Sequence, residues 1–211
     1  MKLFLFALLA LAAYSVWWHL RRQNRLRFIN AYPYAKMLDQ RIALRHPGLS
    51  VDQRRLVCDG LQQYFRLCLA GQMRMISMPS QVVDDARHDF ILSTRQYQKF
   101  CAQAFGRFLH HTPAEAMSSR QVASDGIKRA WRLACADELI NPRKPERLPL
   151  IFALDARLGI AGGFVYALNC QLAGQNGDAY CAGHIGCGGG GGDGGGDSGD
   201  GCGGGGCGGG D

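Results

Sequence analysis

The sequence predicts a mainly α protein: a compact helical domain after an N-terminal transmembrane helix, with a disordered Gly/Cys-rich C-terminal tail. Three observations predict it. Leu3 to Trp18 is an uncharged apolar run closed by arginines. From Val51 to Leu139 apolar side chains recur at three- and four-residue steps, the period of a helix with one buried face. Of the 29 glycines, 18 fall after Ile185, where no aliphatic or aromatic side chain remains to build a core. The 211 residues therefore divide into a transmembrane signal-anchor (1–20), a basic juxtamembrane segment (21–48), a helical domain (49–170) and a Gly/Cys/Asp-rich tail (171–211).

The helical stretch from Leu3 to Leu20 would rise about 27 Å, close to the roughly 30 Å of a bilayer's hydrocarbon core. Lys2, the Leu/Ala-rich run and the small residues Ala10, Ala12 and Ala13 are also what a cleaved secretory signal presents. The run continues past those alanines through Val16, Trp17 and Trp18 and meets Arg21, Arg22, Arg25 and Arg27, an aromatic belt followed by a basic flank. That order favours a single uncleaved span. With four arginines behind it and only Lys2 before it, the expected setting is a bacterial-type inner membrane with the C-terminal domain in the cytoplasm.

A reducing compartment argues against disulfides. The nine cysteines are odd in number and scattered, which excludes a compact cystine framework. Cys58, Cys68, Cys101 and Cys135 lie on or beside apolar stripes and read as small buried hydrophobes. Residues 21–180 carry 23 basic against 13 acidic side chains, while the tail after Ile185 has four aspartates and no base. For a tethered domain the simplest partner of that basic surface is an anionic lipid surface. No interleaved aromatic motif points to nucleic acid, which is not expected as a partner. The flexible tail is a candidate for recruiting a protein.

Within the body, Ser50 heads a capping-box pattern and a helix is expected over Val51 to Ala70, stopped at Gly71. Ser80 is expected to cap a second long helix that ends near Gly106, and a third runs from Ser119 to Leu139 before Asn141-Pro142. Pro33 interrupts the helical stretch 21–45, leaving a helix over Tyr34 to Leu44. Leu148 to Leu158 reads as a short helix ended by Gly159, and Phe164 to Leu168 as extended.

Two clusters could carry chemistry. On a helix Asp84 and His88 share a face, and His110 and His111 follow where the chain leaves it, so one carboxylate and two imidazoles can meet in a metal site or an acid/base pair. The plainer reading is a hydrogen-bonded Asp/His pair that orients a ring. In the tail, Cys181, His184 and Cys187 sit three apart, with Cys202 and Cys207 farther on, enough soft ligands for tetrahedral zinc. The competing reading there is a low-complexity segment whose cysteines are incidental, lipidated or redox-active.

The segment Val83, Asp84, His88, Ile91, Leu92 and Tyr97, with FCAQAFGRFLHHTP after it and a glycine-rich end, resembles the glycine-rich domain-containing protein-like family and its short bacterial relatives over roughly residues 50–170. Arg87 stands where that family normally has Trp before the His. The resemblance implies a domain type and no reaction. Three functional expectations follow: a non-enzymatic membrane-anchored interaction module, a metal-dependent enzyme using Asp84, His88 and His110, or a zinc-binding protein built on Cys181, His184 and Cys187.

Overall fold

A computed structural model describes residues 2–72, 74–111, 120–168, 179–181 and 185. Among them are seven helices: α1 (Lys2–Ala31), α2 (Tyr34–Arg45), α3 (Val51–Ala70), α4 (Gln81–Leu92), α5 (Thr94–Ala104), α6 (Arg120–Asp137) and α7 (Leu150–Leu158). Two short strands, β1 (Val165–Ala167) and β2 (Ala179–Cys181), pair in parallel, with Tyr166 opposite Tyr180. The protein is a compact helical domain behind one N-terminal apolar helix. The expected tail ligands His184, Cys187, Cys202 and Cys207 lie outside the described residues, and of Cys181 only the backbone is described.

α1 is the one described helix long and apolar enough to cross a membrane, over Phe4–Ala31 with mean hydropathy 1.4. A signal sequence near the N-terminus meets the same test of length and composition. Phe4, Phe6, Leu9 and Leu11 stand exposed along its first half. Its last turns belong to the domain: Ile29 is fully buried and the Phe28 ring lies 5.7 Å from Phe100. Pro33 then separates α1 from α2, whose Tyr34, Leu38 and Ile42 face the interior.

α3 starts where the capping box predicts. Ser50 Oγ accepts from the Gln53 amide at 3.3 Å, and Gln53 Oε1 accepts from the Ser50 amide at 2.8 Å. α3 is the central helix, and Phe65 on it gathers the main aromatic cluster, with ring centroids 4.7 Å from Phe100, 6.0 Å from Tyr34 and 6.2 Å from Phe90. Each such ring, fully buried, contributes about 1.5–3 kcal/mol. A second cluster centres on Phe152 of α7, whose ring lies 5.1 Å from Trp131 of α6 and 4.9 Å from Tyr166 of β1.

The single helix expected from Ser80 to near Gly106 is instead two. The chain breaks at Ser93, where φ is −83° and ψ 58°, and the Ser93 carbonyl accepts from the amides of Gln96 and Tyr97 to begin α5. Aromatic packing explains the break. Ten residues of straight helix would hold Phe90 and Phe100 about 15 Å apart along the axis, yet their rings lie 5.2 Å apart. Tyr97, also 5.2 Å from Phe90, is gathered by the same bend. Leu92 is left outside at 69% exposure.

Two buried polar junctions lock the helices together. Gln63 of α3 donates to Asp137 and Glu138 at 3.2 and 2.8 Å, and its Oε1 accepts from the Ile151 amide at 3.0 Å. That last bond satisfies an open N–H at the start of α7, where Pro149 offers no side-chain cap. The other junction is Asp155, 2% exposed on α7. Its carboxylate accepts from Ser80 Oγ at 2.7 Å and from the amides of Gln81, Val82 and Phe164 at 2.6, 3.2 and 2.9 Å. It thus caps α4 from another helix, adding its negative charge to the positive end of the α4 dipole. Gly163 permits this approach, since a Cβ there would lie 2.7 Å from that of Asp155.

Burial pushes the Cys58 thiol up to about 12 and the Cys68 and Cys135 thiols up to about 11. With Cys101 also fully buried, Cys58, Cys68, Cys101 and Cys135 are protonated apolar side chains at neutral pH, matching the sequence reading. Asp155→Ala should strand the buried Val82 amide and Ser80 hydroxyl and the part-buried amides of Gln81 and Phe164, lowering stability by about 3 kcal/mol or more. Urea unfolding checks this; a loss below about 1 kcal/mol would show that α4 does not depend on the junction.

Candidate functional site

α4 spells QVVDDARHDFIL, and its three faces do different work. Val83, Ala86 and Phe90 are buried in the core. Asp85 and Asp89 face α2: Asp85 Oδ2 lies 2.9 Å from His46 Nε2, and Asp89 Oδ1 accepts from Arg45 at 2.8 Å. Asp84, Arg87 and His88 form the third face, directed at the segment after α5. Asp84 and His88 are one turn apart, with Asp84 Oδ2 3.7 Å from His88 Nδ1.

The opposing wall is residues 106–111. The Tyr97 hydroxyl donates to the Leu109 carbonyl at 2.7 Å, and Arg87 donates to the His110 carbonyl at 3.2 Å. These bonds fix the backbone so that His111 turns inward, its Nε2 2.9 Å from His88 Nε2 and the two rings 4.3 Å apart. His110 turns outward and is exposed, packing edge-on against Phe108 at 4.9 Å. The sequence reading chose His110 as the enzyme's second imidazole; the structure brings His111 there instead. In an extended segment successive side chains alternate sides. Leu109 packs against the core, so His111, two residues on, shares its side.

The result is a cluster of Asp84, His88 and His111 whose ligand atoms all lie within 4.8 Å of one another. Three buried atoms in and around it have no hydrogen-bond partner: Asp84 Oδ1, Arg87 Nε and His111 Nδ1. Such groups are costly to bury unless something satisfies them. Burial, and then the neighbouring Arg87 cation, hold the His111 pKa below its ordinary value, against an opposing pull from Asp84. His111 is therefore a neutral imidazole with a lone pair to offer at neutral pH.

Two imidazole nitrogens 2.9 Å apart satisfy each other when one carries the proton. A tetrahedral ion with nitrogens at roughly 2.0–2.1 Å would separate them by about 3.3 Å, a shift within the reach of side-chain rotation. Oxygen and nitrogen donors in this number suit zinc and similar divalent transition ions. Arg87, which sequence reasoning noted only as a departure from a pattern, is 5% exposed and lies over the Tyr64 ring at 4.8 Å. A basic residue among the polar positions of an amphipathic helix gave no signal that it would be buried.

A family model matches residues 24–185, more than half of the chain. The chain belongs to the UCP032817-like family. This corrects the resemblance to glycine-rich domain-containing proteins: the matching family is a different and uncharacterised one. The UCP032817-like match also stops at Ile185, before the glycine tail that contributed to that resemblance. It covers the last turns of α1, both walls of the cluster and β2. No curated protein and no solved structure matches the chain.

If Tyr97 positions His111 through the Leu109 carbonyl, Tyr97→Phe should cost about 1 kcal/mol of stability while changing the chemical shift and titration of His111. Imidazole NMR resolves the two effects. Unchanged His111 signals in the variant would show that the hydroxyl does not set the ring's position.

Proposed function

We propose that this UCP032817-like chain is a membrane-anchored helical module that binds a divalent transition metal, zinc foremost, through Asp84, His88 and His111. The observation that carries the reading is the convergence of these ligand atoms within 4.8 Å, with Asp84 Oδ1 and His111 Nδ1 buried and unpartnered beside them. Three protein ligands leave a tetrahedral ion one position for water or a substrate atom. The His88 side chain is 42% exposed, so that position has access from solvent. This supports a second reading, in which the bound ion acts as a Lewis acid and lowers the pKa of its water to about 7.

The anchor reading rests on α1. Its apolar half stands clear of the domain while its last turns are core, and Ala10, Ala12 and Ala13 lie inside continuous helix. The basic flank after Trp18 supports an inner-membrane position with the domain in the cytoplasm. In sequence, Cys181, His184, Cys187, Cys202 and Cys207 are the tail's candidates for a protein partner or a second metal.

Metal analysis of the protein prepared under reducing conditions tests the site. About one equivalent of zinc is expected, lost in His88→Ala and His111→Ala and retained when the tail cysteines are replaced by serine. Zinc that survives both histidine changes but leaves with the tail cysteines would move the site to the tail. Orientation is tested with a membrane-impermeant maleimide on intact cells. Cys58, Cys68, Cys101 and Cys135 are buried, so label reports the cysteines beyond residue 168. They are expected to stay unlabelled until the membrane is permeabilised, and labelling of intact cells would reverse the orientation.

A further inference from the structure

Where α1 leaves its apolar half and joins the domain, it forms a groove with α5 of about 470 Å³. That lies within the roughly 300–1,000 Å³ of small-ligand sites. Trp17, Leu20 and Phe28 give it an apolar wall, and Arg21, Arg25 and Gln103 give it a polar one. The Arg21 guanidinium lies over the Trp17 ring, 5.0 Å from its centroid. Arg25 reaches across to α5, where its guanidinium occupies the space a Cβ on Gly106 would need; Gly106 has φ +75° and no side chain to block it. Among the described residues neither arginine forms an ion pair with a carboxylate. Two cations are thus held side by side, uncompensated, at the level where tryptophan meets the headgroup region.

We infer that this groove binds one anionic phospholipid, its phosphate between Arg21 and Arg25 and its glycerol and upper acyl chain along Leu20 and Trp17, toward the apolar half of α1. The inference rests on the anchor reading, because the ligand is drawn from the bilayer that α1 enters. Charge complementarity selects the class: paired guanidinium groups favour a phosphate oxyanion, and the apolar wall beside them favours a lipid over free phosphate. The groove joins the membrane helix to α5, and the segment carrying His111 follows α5. A lipid seated there would therefore brace the element that leads into the metal cluster.

The test uses the full chain in nanodiscs of phosphatidylcholine with a minority of phosphatidylglycerol, released into native mass spectrometry. Wild-type protein is expected to retain one phosphatidylglycerol, and the double variant R21A/R25A to lose occupancy about tenfold. R22A/R27A removes the same charge from residues that do not line the groove and should retain the lipid, as should R21K/R25K in larger part. Equal loss in both alanine pairs would reduce the effect to general surface attraction and overturn the site, as would equal retention. Inorganic phosphate in millimolar excess should not displace the lipid; displacement would assign the site to free phosphate. Co-flotation with the same vesicles is read in parallel. A chain that fails to float removes the anchor reading and the site together, whereas a chain that floats without a retained lipid removes only the site.

Discussion

The structure depends on one buried carboxylate. Asp155 lies on α7, far along the chain from α4, yet it supplies the acceptors that the first turn of α4 lacks. Helix N-termini carry unsatisfied amides and partial positive charge, so a carboxylate there is favourable both as hydrogen-bond acceptor and as charge. Because Ser80 also caps Val83, the start of α4 is held from two sides. Every residue of the candidate site except His111 and its supports is counted off from that start. A shift of α4 by one residue would rotate Asp84, Arg87 and His88 by about 100° and scatter the cluster.

The second constraint is the bend at Ser93. Local periodicity from Val83 to Ala104 is compatible with one helix, and nothing in the residue types around Leu92-Ser93-Thr94 demands a break. The break is tertiary: Phe90, Tyr97 and Phe100 are all at or below 1% exposure, and one straight rod cannot present them to a common cluster. This bend turns α5 back so that residues 106–111 pass α4, which brings His111 to His88. The aromatic core and the polar site are therefore two results of one fold-level choice.

That distinction explains what was legible from residues alone. Asp84 and His88 were readable because their relation is local, one helical turn. The caps at Ser50 and Ser80, the break at Pro33 and the stop at Gly159 were readable for the same reason. The His110/His111 choice required knowing how the loop is pinned, by Tyr97 and Arg87, across distances no local pattern records. Arg87 was hardest to read, since a basic residue between Ala86 and His88 ordinarily points to solvent. The role of Asp155 was equally hidden: an acidic residue late in a short helix gives no sign that its partners are residues 80–82 and 164.

The charges around the cluster set what the proposed ion would do. Arg87 is buried within reach of Asp84's field and is held by the Tyr64 face and the His110 carbonyl, with no direct carboxylate bond. A carboxylate at Asp84 and the Arg87 cation cancel in net charge, and imidazoles that bind a metal through a lone pair add none. A divalent ion bound there would keep most of its charge uncompensated by protein. Its open position would then favour an anionic ligand, a hydroxide or a phosphate or carboxylate oxygen, over a neutral one. The same cation beside His111 opposes protonation of that ring, which keeps its lone pair available. A buried arginine that first looks like an electrostatic cost would thus have a consistent use in the proposed site: it would keep His111 in its binding form and bias a bound ion toward negatively charged partners.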